Sequence, residues 1–71
     1  MKIRGKVVHK NLATGFWGIE GEDGKEYRPV NMPSELQTEG LRVEVQAEKA
    51  DEGFSIFMWG TAVKITSHQK L

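Results

Sequence analysis

Five side chains in the first half of the sequence have types suited to binding a ligand that carries flat rings and negative charges. They are His9, Lys10, Phe16, Tyr27 and Arg28. Aromatic rings stack on nucleobases, on sugar rings or on a partner's side chains, and cations contact phosphates. We therefore take these five residues as candidate ligand-binding residues.

The same residues also have an ordinary structural interpretation. Phe16 and Tyr27 could form a cross-strand aromatic pair that steadies a hairpin, which is worth about 0.2–1 kcal/mol. The cations could belong to a solvated strand face, where Glu20 and Glu26 would cancel part of their charge. The sequence alone leaves both interpretations open.

The sequence offers little for catalysis or metal binding. No nucleophile–base spacing and no nucleophile-elbow motif occurs among its serine, histidine and carboxylate residues. The chain has no cysteine, and its two histidines, His9 and His68, are far apart in sequence, which argues against a structural zinc site. The acidic residues near position 23 lack the ordered alternation of an EF-hand loop. We expect no enzyme activity, no cofactor and no metal site.

A hairpin centred on Asp23 and Gly24 is predicted to position the aromatic candidates. Glycine supplies the positive φ that a two-residue type I′ turn requires. Such a turn would place Glu20 opposite Tyr27, and opposed residues of two strands share a face of the sheet. The predicted outer surface then carries Phe16, Glu20 and Tyr27, and the predicted core face carries Trp17, Ile19 and Val30.

Further strands are predicted on both sides of this hairpin. A first strand covers residues 3–10, and Pro29, which cannot donate to a ladder, ends the third strand or places it at an edge. The sequence Ser-Glu-Leu-Gln at residues 34–37 matches a capping box and predicts a single helical turn. Apolar alternation and apolar runs predict the remaining strands at residues 41–48, 54–59 and 61–66.

This pattern predicts an all-β fold, a small five- or six-stranded antiparallel OB-like barrel with one short helical turn. Residues 1–66 form its single domain, and residues 67–71 are expected to be a flexible C-terminal tail. Trp17 and Trp59 are expected to fill the barrel or close one of its ends. Exposure of Phe57 and Trp59 would instead favour dimerisation.

Composition limits the classes of partner. The 71 residues include ten basic and ten acidic ones, so their formal charges cancel and tight binding to nucleic acid is not favoured. No apolar run approaches the roughly 20 residues that a membrane-spanning helix needs. The first residues lead into a strand pattern without the apolar region of a signal peptide, and we expect a cytoplasmic protein.

The first half of the chain resembles the cold-shock domain, a five-stranded OB barrel. The resemblance lies in residues 5–11, in Thr-Gly-Phe-Trp-Gly-Ile at residues 14–19 and in Asp-Gly at residues 23–24, and continues at residues 39–45. It implies single-stranded nucleic-acid binding on a stacking face. Phe16 keeps one stacking position and Tyr27 keeps another, whereas the aromatic pair of the family's first strand is His9-Lys10 here. Each lost ring removes about 1–3 kcal/mol per base.

A second resemblance covers nearly the whole chain. Gly-Phe-Trp-Gly-Ile at residues 15–19 and Met-Trp-Gly-Thr at residues 58–61 are similar to an uncharacterised small prokaryotic domain, as are residues 23–27, 31–33 and 39–43. Such domains occur alone or as the mature part of predicted lipoproteins. This resemblance implies no activity, but it implies that relatives include envelope-anchored proteins.

Two hypotheses for the function follow. The first is a non-catalytic binding or interaction module that engages an unknown protein partner or associates with itself. The alternative is weak single-stranded nucleic-acid binding through a degenerate cold-shock-like face. Both place the ligand on the surface that carries His9, Lys10, Phe16, Tyr27 and Arg28.

Overall fold

Five β-strands close into a barrel in the computed structural model, which describes residues 1–11, 15–50 and 59–71. A 3-10 turn at Ser34–Leu36 lies between the third and fourth strands. In chain order the strands are β1 (Lys2–Lys10), β2 (Phe16–Gly21), β3 (Glu26–Pro29), β4 (Arg42–Lys49) and β5 (Thr61–Lys70).

The strands follow the order β1-β2-β3-β5-β4 around the barrel. All neighbours are antiparallel except β3 and β5, which run parallel. The all-β barrel is confirmed, but the purely antiparallel arrangement is wrong. An odd number of strands cannot alternate in direction all the way around a closed ring, so one neighbouring pair must be parallel.

The core consists of the inward-facing side chains of the strands, closed by the 3-10 turn. The predicted alternation in residues 41–48 is confirmed, since Val43, Val45 and Ala47 of β4 are buried. Leu36 is fully buried and is the contribution of the 3-10 turn to the core. The other buried apolar residues are Ile3, Val7, Ile19, Tyr27, Val63 and Ile65.

The predicted helical turn is present, but the capping box is not formed. Ser34 is the first residue of the 3-10 turn, Pro33 precedes it as the N-cap, and no side chain caps the turn. The Gln37 side chain instead donates a hydrogen bond to the carbonyl oxygen of Met32, at 3.2 Å.

The β2–β3 hairpin has a register one residue away from the predicted one. Ile19 lies opposite Tyr27, and the Gly21 amide donates to the Lys25 carbonyl at 2.8 Å, so the loop has three residues. Gly24 supplies the positive φ of +83°. A shift of one residue exchanges the two faces of a strand, and Tyr27 therefore points into the core instead of outwards.

The parallel pair is extended beyond β3 by a side chain. The Asn31 amide donates to the Ile65 carbonyl at 3.0 Å and accepts from the Ile65 amide at 2.8 Å. One side chain thus takes the place of a backbone peptide group where β3 has ended.

Residues 67–70 belong to β5, which differs from the flexible tail predicted for residues 67–71. They pair with β4, from Ser67 opposite Gln46 to Lys70 opposite Val43. His68 Nε2 also lies 3.1 Å from a carboxylate oxygen of Glu35. The side chains are exposed and carry no apolar signal, so main-chain hydrogen bonds hold this segment.

Residues 54–58 of the strand predicted at residues 54–59, and with them the orientation of Phe57, lie outside the described residues. Trp59 is described, precedes β5, and is half-buried. In the part of the chain that the structure describes, no helix has the length and apolar character needed to span a membrane.

A candidate ligand-binding face on β1 and β2

The outer surface of the β1–β2 pair carries the aromatic and charged side chains of interest. Opposed residues in an antiparallel pair share a face. With Val7 and Ile19 buried in the core, the alternate positions face outwards. We call this surface the β1–β2 face; it consists of Lys6, Val8, Lys10, Phe16, Gly18, Glu20 and the ring of Trp59.

Trp59 lies directly on the backbone of β2 at Gly18. A Cβ atom placed on Gly18 would lie 2.5 Å from Trp59 Cη2 and closer still to Cζ3. Any side chain at this position would therefore displace the indole. Because Gly18 has no side chain, the backbone of β2 offers a flat surface on which the indole packs, and Gly18 is buried beneath it.

Phe16 and Lys10 border the Trp59 ring. The Phe16 and Trp59 ring centroids are 5.6 Å apart with planes tilted by 49°, within the normal range of aromatic pairs. Lys10 Nζ is 5.3 Å from the Trp59 centroid, a cation–π distance worth about 0.5–1 kcal/mol at an exposed site. The same ammonium lies 3.8 Å from a carboxylate oxygen of Glu20. The result is an apolar ring surface with the Lys10 ammonium and the Glu20 carboxylate at its edge.

The charges near this face partly cancel. Lys2, Arg4 and Lys6 continue the outward row of β1 from Lys10, as alternation along the strand requires. Arg4 lies opposite Glu44, and Lys6 lies opposite Glu20 on β2 and opposite Arg42 on β4, which itself pairs with Glu22. The basic row is therefore a local feature flanked by carboxylates.

His9 and Trp17 lie on the opposite surface of the same strand pair. Their rings meet edge to face with centroids 4.8 Å apart, and Trp17 packs against the core. The His9 amide donates to a Glu39 carboxylate oxygen at 2.8 Å. His9 therefore does not join Lys10 and Phe16 on the β1–β2 face.

Tyr27 is also separate from the face, because its side chain lies in the core, whereas Arg28 alternates with it along β3 towards the outer surface but is buried there. Tyr27 is 9% exposed and Arg28 is 6% exposed. The one-residue register shift places the Tyr27 ring in the core, beside Ile19. Of the five candidate residues, the structure brings together Lys10 and Phe16.

Gly18 and Trp59 are the members of the face that sequence reasoning missed. Trp59 was expected inside the barrel or at its end, whereas its ring lies on the outside of β2. A glycine within a strand often marks a close approach by another group, and Gly18 carried that signal.

The three-residue turn has its own electrostatic arrangement. Asp23 accepts hydrogen bonds from the Lys25 amide and the Tyr27 hydroxyl, both at 3.0 Å. The Lys25 amide is the main cause that lowers the pKa of Asp23 below its ordinary value, and the Tyr27 hydroxyl adds to it. Burial, with the neighbouring carboxylate, raises the pKa of Tyr27 above its ordinary value.

Within residues 1–11, 15–50 and 59–71, no group of three histidine, cysteine or carboxylate side chains is arranged to hold a metal ion. A comparison of the chain with models of protein families, with curated proteins and with solved structures finds no match.

Proposed function

We propose that this chain is a non-catalytic binding module of the OB-like kind, with the β1–β2 face as its ligand surface. The ligand that the contacts on this face support best is a single-stranded nucleic acid, bound weakly. The observation that carries the proposal is the contact of Phe16 with Trp59 beside the Lys10 ammonium.

The strand order supports the OB-like assignment. β4 lies beside β1 and follows three consecutive strands, which is the order of a Greek key, and the OB-fold is a five-stranded Greek-key barrel. OB-folds bind oligonucleotides and oligosaccharides between the β1–β2 and β4–β5 connections. Phe16 begins β2 just after the first connection, and Trp59 lies two residues before β5, near the end of the second. Their ring contact brings the start of β2 together with the residues just before β5.

The balance of rings and charges supports weak binding. Aromatic side chains stack on any base, and each such contact is worth about 1–3 kcal/mol. Lys10 places a cation beside the Trp59 ring, but Glu20 lies close enough to oppose a phosphate. Binding therefore depends on stacking first and on charge second.

Replacing the stacking ring tests the proposal. The Phe16→Leu variant keeps an apolar side chain but removes the flat ring, and we expect it to weaken binding of single-stranded DNA of about 12 nucleotides at least five-fold. The dissociation constant is measured by fluorescence anisotropy at about 20 mM salt, where phosphate contacts are least screened.

A pair of lysine variants provides the matched control. Lys10→Ala should weaken binding and reduce the slope of log K against log salt by about 0.7, the value for one phosphate contact on a single strand. Lys64→Ala removes the same charge from β5, which neighbours neither β1 nor β2, and should leave both quantities nearly unchanged. Equal effects of the two lysine variants, or no effect of Phe16→Leu, would contradict this ligand surface.

A further inference from the structure

The contact between Trp59 and Gly18 has the features of an occupied ring-binding site. Bare backbone at Gly18 lies beneath the indole, Phe16 contacts its side, and the Lys10 ammonium is within cation–π distance. These are the contacts that a stacked base of a bound strand would need. The site is filled by a ring of the chain itself.

We propose that Trp59 is an internal competitor for this site, and that a nucleobase binds on Gly18 in exchange for the Trp59 ring. This inference rests on the proposed function, because it requires the β1–β2 face to bind a nucleic acid. It specifies that the base binds over Gly18, that the group bound there is a flat ring, and that Trp59 limits access to this site.

The position of Trp59 in the chain makes the exchange possible without unfolding the barrel. Trp59 precedes β5 and belongs to none of the five described strands, so moving its ring breaks none of the pairings between them. Gly60 separates it from Thr61, the first residue of β5. Trp59 is half-buried, so part of the residue is already exposed to solvent.

The indole of Trp59 and a nucleobase cannot both occupy the site over Gly18. The indole lies so close to the Gly18 backbone that even one added carbon atom there would overlap with it. A base can therefore reach this part of β2 only when Trp59 has left. The apparent affinity then equals the intrinsic affinity multiplied by the fraction of molecules in which the site over Gly18 is empty.

Binding of a labelled oligothymidylate of about 12 nucleotides at low salt tests the exchange. We expect Trp59→Ala to bind the oligothymidylate about ten-fold more tightly than the unmodified chain, because the site over Gly18 is then always open. Trp59→Phe, with a smaller ring, should fall between the two. Phe16→Leu should weaken binding in both the Trp59 and the Trp59→Ala backgrounds.

The fate of the indole itself provides a readout that a purely structural role would not produce. In a Trp17→Phe background, Trp59 is the single tryptophan, and its quenching by acrylamide reports its exposure. The exchange predicts that saturating oligothymidylate makes Trp59 more accessible to acrylamide.

The outcomes separate the two proposals. Weaker binding by Trp59→Ala, together with protection of Trp59 from acrylamide, would overturn the exchange and make Trp59 part of the binding platform, with the proposed function retained. If the folded Trp59→Ala variant and the unmodified chain both fail to bind, the exchange and the nucleic-acid function are overturned together. Amide spectra of each variant establish that it is folded.

Discussion

Gly18 shows how a residue without a side chain determines what a strand face can hold. It lies opposite Val8 in the β1–β2 pair, where a side chain would have covered the backbone, and the space is taken by the indole of Trp59. The packing of Trp59 on the β1–β2 face therefore depends on one position that contributes no functional group. A glycine within a strand signals a close approach, but which group approaches is known only once the ring above it is located.

Asp23 is a residue whose ionisation is linked to stability. Its pKa in the folded state is below the ordinary value of 3.8, chiefly because of the Lys25 amide. Its ionised form therefore stabilises the fold fully above about pH 4, and this contribution is lost as the pH falls through the folded pKa. We expect the stability difference between the unmodified chain and Asp23→Asn to shrink as the pH falls from 6 to about 2.

Urea unfolding across this pH range measures that difference. Tyr27→Phe is the matched variant, because it removes the second hydrogen-bond donor to Asp23 and keeps the ring in the core. It should bring the pKa of Asp23, followed by NMR of the carboxyl carbon, closer to 3.8. A stability difference that is constant with pH would show that Asp23 acts only through the shape of the turn.

At the scale of the elements, strands could be predicted where burial of one strand face alone determines the sequence pattern. β4 has one buried and one exposed face, and its alternation of apolar and polar residues records this directly. The register of the β2–β3 hairpin was not predictable from Asp-Gly, because the bonds from Lys25 and Tyr27 to Asp23 favour a loop of three residues. This register difference of one residue places Tyr27 in the core instead of on the predicted ligand-binding face.

The junction of β3 and β5 depends on Asn31. Its amide makes two hydrogen bonds to the Ile65 backbone, each worth about 0.5–1.5 kcal/mol net, so Asn31→Ala should lower the free energy of unfolding by about 1–3 kcal/mol. Urea or thermal unfolding measures the change.

The Asn31→Asp variant separates the two hydrogen bonds. At neutral pH its carboxylate still accepts from the Ile65 amide but has no donor for the Ile65 carbonyl. Protonation restores a donor, so the deficit relative to the unmodified chain should decrease below about pH 4. An unfolding midpoint for Asn31→Ala equal to that of the unmodified chain would mean that these bonds contribute nothing to the parallel pair.

At the scale of the whole molecule, closure explains what local patterns could not predict. Five strands in a closed ring require one parallel pair, a condition that no single segment carries in its sequence. Closure also explains why residues 67–70 form part of β5. Their exposed side chains suggested a tail, but their backbone pairs with β4. The position of Trp59 on the outside of β2, against Phe16, likewise depends on a contact between parts of the chain that are distant in sequence.

The most direct test of the central claim is an amide chemical-shift titration of the labelled protein with single-stranded DNA of about 12 nucleotides at low salt. If the β1–β2 face is the ligand surface, the largest shifts fall on Val8, Lys10, Phe16, Gly18 and Trp59, and the Lys64 and Thr66 amides of β5 remain unchanged. Shifts centred on β4 and β5, or no shifts at high oligonucleotide concentration, would contradict the assignment of this face as a nucleic-acid-binding surface.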